Sequence, residues 1–307
     1  MLELHGLSKT YRSFWRGRQV RALHDFTLTV RRGEVVGIAG PNGAGKSTLL
    51  SLLLGFLHPT HGSVRIGGLS PRAYVERSGV GYLAELVAIP PKWTVEGTVQ
   101  RCAVLANVPM AERAAQVERV LELLGLAEQR RKTARQLSKG NLQRLALAQA
   151  LVGRHELVIL DEPTHGLDPV WTQRFRDVVR EERRPDRAFF IASHNLDELE
   201  RLADRVIILH QGELQRVVGP GAETVLAEVH RATYRLRLAT PYLGLTALAP
   251  GATPVPGRED EWRIHGDIAE LNRVLGVLVA AGVIVLAFGP EESRLESEFR
   301  RAMGGVR

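Results

Sequence analysis

The sequence contains one cysteine, Cys102. No internal disulfide can form, and a reducing compartment suits the chain. Without a base beside it, a lone thiol reads as core packing rather than as a nucleophile. Long hydrophobic runs are also missing. The most apolar late stretch, residues 274–288, is shorter than the ~20 residues a bilayer requires, and Gly276 and Gly282 interrupt it. The start, Met1-Leu2-Glu3-Leu4-His5, lacks the charged-then-apolar pattern of a secretory signal. A soluble protein is expected, one that would reach a membrane only through a partner. Concentrated charge is scarce too. The net charge is +7, yet the basic residues are scattered, apart from Arg130-Arg131-Lys132 and Arg183-Arg184. That balance permits an anionic partner, nucleic acid or an acidic membrane surface, without naming either.

What is present is a chain of 307 residues, 44% of them hydrophobic. That is enough for a sizeable core and, at ~150 residues per domain, for about two domains. Its organising stretch is Gly40-Pro41-Asn42-Gly43-Ala44-Gly45-Lys46-Ser47-Thr48, a G-x-x-x-x-G-K-S phosphate-binding loop. The short apolar run Glu34-Val35-Val36-Gly37-Ile38-Ala39 before it suits a buried strand, and Leu49-Leu50-Ser51-Leu52-Leu53-Leu54 after it suits a helix. Glycines let the backbone aim N–H groups at phosphate oxygens, and the helix start adds about half a positive charge. Lys46 is expected to reach the β- and γ-phosphates, and the Ser47 hydroxyl to ligate Mg²⁺.

Upstream, residues 2–4 and 26–30 read as strands, with 11–18 as a loop between them. An aromatic there can stack on a purine base. Tyr11 is preferred, with Phe14 and Trp15 as rivals. Downstream, Gly62-Ser63-Val64-Arg65-Ile66-Gly67-Gly68 alternates and then turns, a hairpin signature. Val117, Val120, Leu121 and Leu124 repeat with helical spacing, and Gly125 is a natural stop. Ser138, a good N-cap, precedes Lys139-Gly140-Asn141 and another helix, whose exposed N–H groups could face an anion.

Leu157-Val158-Ile159-Leu160 ends in Asp161-Glu162. Two carboxylates at the tip of a buried strand resist explanation as solvated surface, because unpaired buried charge is costly. Ligands bind at such strand ends in α/β sheets. Asp161 suits Mg²⁺, and Glu162 suits polarisation of an attacking water. Ala188-Phe189-Phe190-Ile191-Ala192 is a second such strand, ending in Ser193-His194. Beyond the break at 219–221 the character changes. Strands at 234–238, 261–264 and 283–287, a helical stripe from Ile268 to Leu278 and a last helix over 291–303 describe a small α+β unit. Residues 241–257, rich in Pro and Gly, read as loop.

The order of these motifs resembles the nucleotide-binding subunit of an ATP-binding cassette (ABC) transporter. The phosphate loop comes first, then Leu137-Ser138-Lys139-Gly140-Asn141 in the place of the LSGGQ-type signature. Asp161-Glu162, Gly166-Leu167-Asp168 and His194 follow. The resemblance covers roughly residues 1–218. It implies an α/β P-loop NTPase fold, an ABC ATPase core with an antiparallel β subdomain and a helical signature subdomain at about 86–152. The unit at 219–307 resembles the C-terminal extension of exporter-type ATPases. It would dimerise, regulate, contact the permease or act as a stabilising cap.

The resemblance also implies an ATPase whose cofactors are ATP and Mg²⁺. Tyr11 would stack on adenine. Gly40 to Thr48, with Pro41, Asn42, Gly43, Ala44 and Gly45 between them, would wrap the phosphates. Lys46, Ser47 and Asp161 would hold phosphates and metal. Glu162 would polarise water, and His194 would contact the γ-phosphate. Two subunits would pair head to tail, so that Ser138 and Gly140 of one close over ATP on the other and Asp168 ties the two sites together. Glu85 stands where many relatives carry a metal-contacting glutamine, and with the 90–94 loop it would lie near a separate transmembrane permease. That permease would hold the chain on the cytoplasmic face of the membrane and select the cargo; export is favoured over import.

The alternative is a soluble ABC ATPase acting on ribosomes or DNA. Ribosome-acting relatives carry two cassettes per chain, and only one phosphate loop is present. DNA-repair relatives insert long coiled coils, and the span of 90 positions from Thr48 to Ser138 contains no long heptad run. No nucleic-acid partner is therefore expected. A hydrolysis-dead cassette fits poorly with intact Lys46, Asp161, Glu162 and His194.

Overall fold

A computed structural model describes residues 1–12, 19–219, 232–242 and 244–303. The chain divides into two compact units, Met1–Pro220 with Phe299–Arg307, and Gly221–Glu298.

The first unit opens with β1 (Leu2–Arg12) and β2 (Gln19–Val30), an antiparallel pair in register from Leu2↔Val30 to Arg12↔Gln19. Both are longer than the alternation suggests. Register shifts between Leu4, Leu7 and Lys9 interrupt the period of two, and Gly6 and Asp25 turn to positive φ. Tyr11 therefore lies on a strand, not in a loop. Phe14 and Trp15 fall outside the described residues.

The buried strand β3 (Val35–Ala39) feeds the phosphate loop, and helix α1 (Lys46–Leu53) leaves it. Strand β4 (His61–Ile66) adds to the other side of β1, giving the antiparallel order β2-β1-β4. The hairpin expected at 62–68 is absent. Gly67 and Gly68, both at positive φ, turn the chain back to a single bridge between Ile66 and Leu69. The Ser70 hydroxyl then caps α2 (Pro71–Ser78), whose first residue is proline.

After β5 (Gly81–Leu83), Thr94 caps α3 (Val95–Leu105), and α4 (Met110–Leu123) and α5 (Lys139–Leu151) follow. Helix α5 is buried nearly all round, so its polar Gln143 and Arg144 face protein rather than water. Next come β6 (Leu157–Asp161), α6 (Pro169–Glu182), β7 (Ala188–Ala192), α7 (Leu196–Leu202), β8 (Arg205–His210) and β9 (Glu213–Val218).

Strands β5, β6, β7, β3 and β8 run parallel in that order, and β9 closes the edge antiparallel to β8. All five residues of β3, β6 and β7 are buried, as expected of parallel strands covered on both faces. One core runs through both sheets. Leu4, Phe26 and Val64 of the antiparallel sheet join Leu49 and Leu53 of α1 and Ile38, Ile159 and Phe190 of the parallel sheet. Cys102 on α3 is half-buried, and burial raises its thiol pKa, so packing describes it better than reactivity.

The second unit contains β10 (Ala232–Leu238), the short helix α8 (Leu245–Leu248), β11 (Thr253–Val255), β12 (Arg258–Gly266), α9 (Ile268–Ala280) and β13 (Val285–Pro290). The final helix α10 (Arg294–Ala302) follows. The strands form an antiparallel sheet ordered β11-β12-β10-β13. Leu236, Leu238, Trp262 and Ile264 pack with Leu271, Val274 and Leu278 of α9. The 241–257 stretch is not all loop, since it contains α8 and β11. Helix α10 begins later than its expected start at 291, because Ser293 and Glu296 cap one another across its first turn. Among the described residues no helix is long and apolar enough to cross a membrane.

Candidate active site

Because β6, β7 and β3 are parallel neighbours, their C-terminal ends share one edge of the sheet. Ile38 pairs with Ala192, and Ala192 with Asp161. The phosphate loop after β3, the Asp161-Glu162 pair at the end of β6 and Ser193-His194 after β7 are thereby brought together from distant parts of the chain.

The loop's shape depends on missing side chains. A Cβ on Gly40 would lie 2.5 Å from the Leu209 carbonyl oxygen, and one on Gly45 (φ 108°) would lie 2.5 Å from the Ala22 carbonyl oxygen. Pro41, Asn42 and Gly43 are exposed, and the Ala44 N–H donates to the Pro41 carbonyl at 3.1 Å. Lys46 is buried, its Nζ donating to the Gly40 carbonyl at 2.5 Å and the Pro41 carbonyl at 3.3 Å. The ammonium is folded over the loop it would share with a phosphate. Ser47 is exposed at the start of α1, and Thr48 is half-buried behind it.

Asp161 is 5% exposed, with Glu85, Glu162 and Lys46 as its charged neighbours. Burial, then Glu85 and Glu162, raise its pKa to about 6, against the opposing pull of Lys46. A buried carboxylate with two acidic neighbours calls for a cation. Among the described residues no group of three or more His, Cys, Asp or Glu could hold a metal unaided. A metal here would need a carboxylate, a hydroxyl and ligand oxygens, the donor set that suits Mg²⁺. The Ser47 and Asp161 side chains fit that requirement.

Glu162 adopts φ 49°, left-handed for a residue with a side chain. Several partners hold it there. Its N–H donates to the Ala192 carbonyl at 2.8 Å, and the Gln143 side-chain amide donates to the Glu162 and Pro163 carbonyls at 3.2 and 3.0 Å. Its carboxylate accepts the His194 backbone N–H on Oε1 at 3.1 Å, with His194 Nδ1 2.8 Å from Oε2. The imidazole is 67% exposed and the carboxylate 11%. The carboxylate thus orients the ring, and Nε2 is left as the nitrogen that can meet a ligand.

Tyr11 is 40% exposed, with Lys9 Nζ 5.5 Å from its ring centre. It pairs with Val20 on β2, two residues before the Ala22 carbonyl that abuts Gly45. That register sets Tyr11 on the strand pair beside the phosphate loop.

The signature residues lie apart from this cluster. The Ser138 hydroxyl accepts the Asn141 N–H at 3.2 Å and so caps α5. A Cβ on Gly140 would lie 3.3 Å from the Gly166 carbonyl oxygen. Lys139 Nζ is 2.9 Å from His165 Nε2. Asp168 caps α6 through the Trp171 N–H at 2.8 Å. Arg144 stacks its guanidinium 3.9 Å from the centre of the Trp171 ring and donates to the Leu124 and Gly125 carbonyls. Within one chain the signature therefore packs on the 165–168 loop. Among the described residues no hydrogen bond joins Ser138 or Gly140 to the phosphate loop.

Sequence reasoning did not find Gln143, Thr164, Arg144 or Glu198. For Gln143 and Arg144 the available signal was their place between Leu142 and Leu145 on a helix rich in Leu and Ala, whereas Thr164, in a turn, and Glu198, on a mostly charged helix, carry no such signal.

The family model described as ABC transporter matches residues 23–165. An uncharacterised ABC transporter ATP-binding protein of Nostoc sp. is 40% identical over 213 residues, covering 68% of this chain and 63% of that protein. The chain thus spans less than two thirds of that relative. An uncharacterised ABC transporter ATP-binding protein of Bacillus subtilis, YdbJ, is 32% identical over 310 residues, covering 98% of this chain and 95% of that one. Among solved structures, a dimeric bacterial ABC transporter cassette superposes with a TM-score of 0.62 at 26% identity, covering 71% of this chain and 98% of that one.

Proposed function

The chain belongs to the ABC transporter ATP-binding family, and on that premise we propose that it is the ATP-hydrolysing subunit of a transporter, driving export through a separate permease. The observation that carries the reading is the Glu162 carboxylate aimed by His194 beside Asp161 and Lys46 at one sheet edge.

Backbone N–H groups of the loop and Lys46 bind the ATP phosphates, with Lys46 exchanging its carbonyl partners for phosphate oxygens. Tyr11 stacks on the adenine. Ser47 and Asp161, with Glu85 near Asp161, would hold Mg²⁺, which would neutralise charge on the phosphates. Glu162 orients and polarises the water that attacks the γ-phosphate, and His194 Nε2 contacts that phosphate. Phosphoryl transfer needs donors and cations on all sides and water excluded, while one subunit leaves a side of the nucleotide open. Ser138 and Gly140 of a second subunit, with α5 behind them, supply the lid, and Asp168 links the two sites. The pair sits on the cytoplasmic face of the membrane, and the 219–307 unit is an accessory domain. The dimeric cassette among similar structures supports the pairing.

The test is ATP binding and phosphate release by the purified chain. Lys46→Ala is expected to lose affinity for ATP, and unchanged binding would overturn the reading of the loop. Affinity capture of the chain from detergent-solubilised membranes is expected to bring down an integral membrane protein.

A further inference from the structure

Helix α7 follows His194 and is capped by the Asn195 side chain, which accepts the Glu198 N–H at 3.2 Å. An acid three residues after the cap ordinarily folds back onto the cap's own N–H. Here that N–H is bonded to Ser193 Oγ at 3.1 Å instead. Glu198 is fully buried, at 0% exposure. Its Oε2 accepts the Thr164 hydroxyl at 2.6 Å, while its Oε1 has no hydrogen-bond partner among the described residues. An acid that does not cap its own helix and carries an unsatisfied oxygen is a destabilising choice for a core position. Its single bond must therefore serve another purpose.

Thr164 stands two residues beyond Glu162. We propose that Glu198 is a positioning residue which, through Thr164, fastens the strained 162–164 segment to the helix that follows His194. The Gln143 amide holds the same segment from α5. The backbone of Glu162 is thus gripped from two sides, and its carboxylate stays aimed at His194. Burial lifts the Glu198 pKa to about 7; Thr164 and Arg176 oppose that shift, as does His194, and Glu162 adds to it. A neutral glutamine is therefore a close substitute.

The inference rests on the proposed hydrolysis, and the experiment separates the two. Steady-state ATP turnover is measured for Glu198→Ala, Glu198→Gln, Thr164→Val, Thr164→Ser and the Glu198→Ala/Thr164→Val double variant. Misplacing a reacting group costs roughly 10- to 100-fold in rate. That loss is expected in kcat for Glu198→Ala and Thr164→Val, with KM for ATP unchanged because the phosphate loop is untouched. Glu198→Gln and Thr164→Ser should stay near wild type, and the double variant should be no worse than the worse single one. Should Glu198→Ala fail to fold, Thr164→Val still decides. Wild-type kcat in Thr164→Val, or a Glu198→Gln as impaired as Glu198→Ala, overturns the positioning role. A wild-type chain that releases no phosphate overturns the hydrolysis reading instead.

Discussion

Glu162 and His194 are joined twice, once through the imidazole Nδ1 at 2.8 Å and once through the backbone N–H at 3.1 Å. The second contact does not depend on the ring, so the acid keeps its aim if the ring is lost. The ring, in contrast, depends on the acid for its orientation.

This asymmetry separates two substitutions. Glu162→Gln keeps an acceptor for the backbone N–H but loses the charge proposed to polarise water. It is expected to bind ATP normally, to turn over at least ~100-fold more slowly, and to accumulate as an ATP-bound dimer in size-exclusion chromatography. His194→Ala should also bind ATP and lose turnover, to a smaller extent. Wild-type phosphate release by Glu162→Gln would remove the role given to this carboxylate.

Gly166 shows how the signature is fitted to the loop beneath it. Its φ is 80°, and a Cβ there would meet the Lys139 side chain at 2.8 Å. The lysine can move, but the backbone strain cannot be relieved that way. Gly166→Ala is expected to cost ~1–2 kcal/mol in thermal or denaturant unfolding. Adding Lys139→Ala should recover only part of it. Unchanged stability in Gly166→Ala would mean the loop readily adopts another conformation.

Asp161 makes a prediction about pH. Its pKa is raised to about 6, first by burial and then by Glu85 and Glu162, against ~4 in an unfolded chain. Between those values the folded protein holds a proton that the unfolded chain has released. The stabilising contribution is complete below about pH 4 and is lost as pH rises through about 6. Above that, the ionised acid weighs against the fold. In the absence of nucleotide and Mg²⁺, Asp161→Asn should melt above wild type at pH 8, and the gap should shrink to roughly half at pH 5 and close below about pH 4. Identical melting at pH 8 would contradict the raised pKa.

The elements legible in the sequence were those in which local pattern and environment agree. Strands β3, β6 and β7 are buried on both faces and read as unbroken apolar runs. The glycine loop and the cap at Ser138 carry their geometry in residue type. The full length of β1 and β2 is not legible in the sequence, because bulges break their alternation. The turn at Gly67-Gly68 looked like a hairpin because its continuation is decided by Ser70 and Pro71, a helix start. Polar ties such as Gln143 to Glu162 and Thr164 to Glu198 were invisible. They join residues 19 and 34 positions apart and leave no periodic trace.

Under the proposed function each phosphate loop is half a site, completed by the signature of another subunit. Two inactive variants test it most directly. Lys46→Ala disables the loop. Ser138→Asp keeps a good helix cap and sets a negative charge where phosphate would lie. In a mixed dimer one site carries both defects, and the other pairs an intact loop with an intact signature. Neither variant alone should release phosphate, and their mixture should. A mixture as inactive as its components, with mixed dimers shown to form, would contradict the shared site, as would full activity in Ser138→Asp alone.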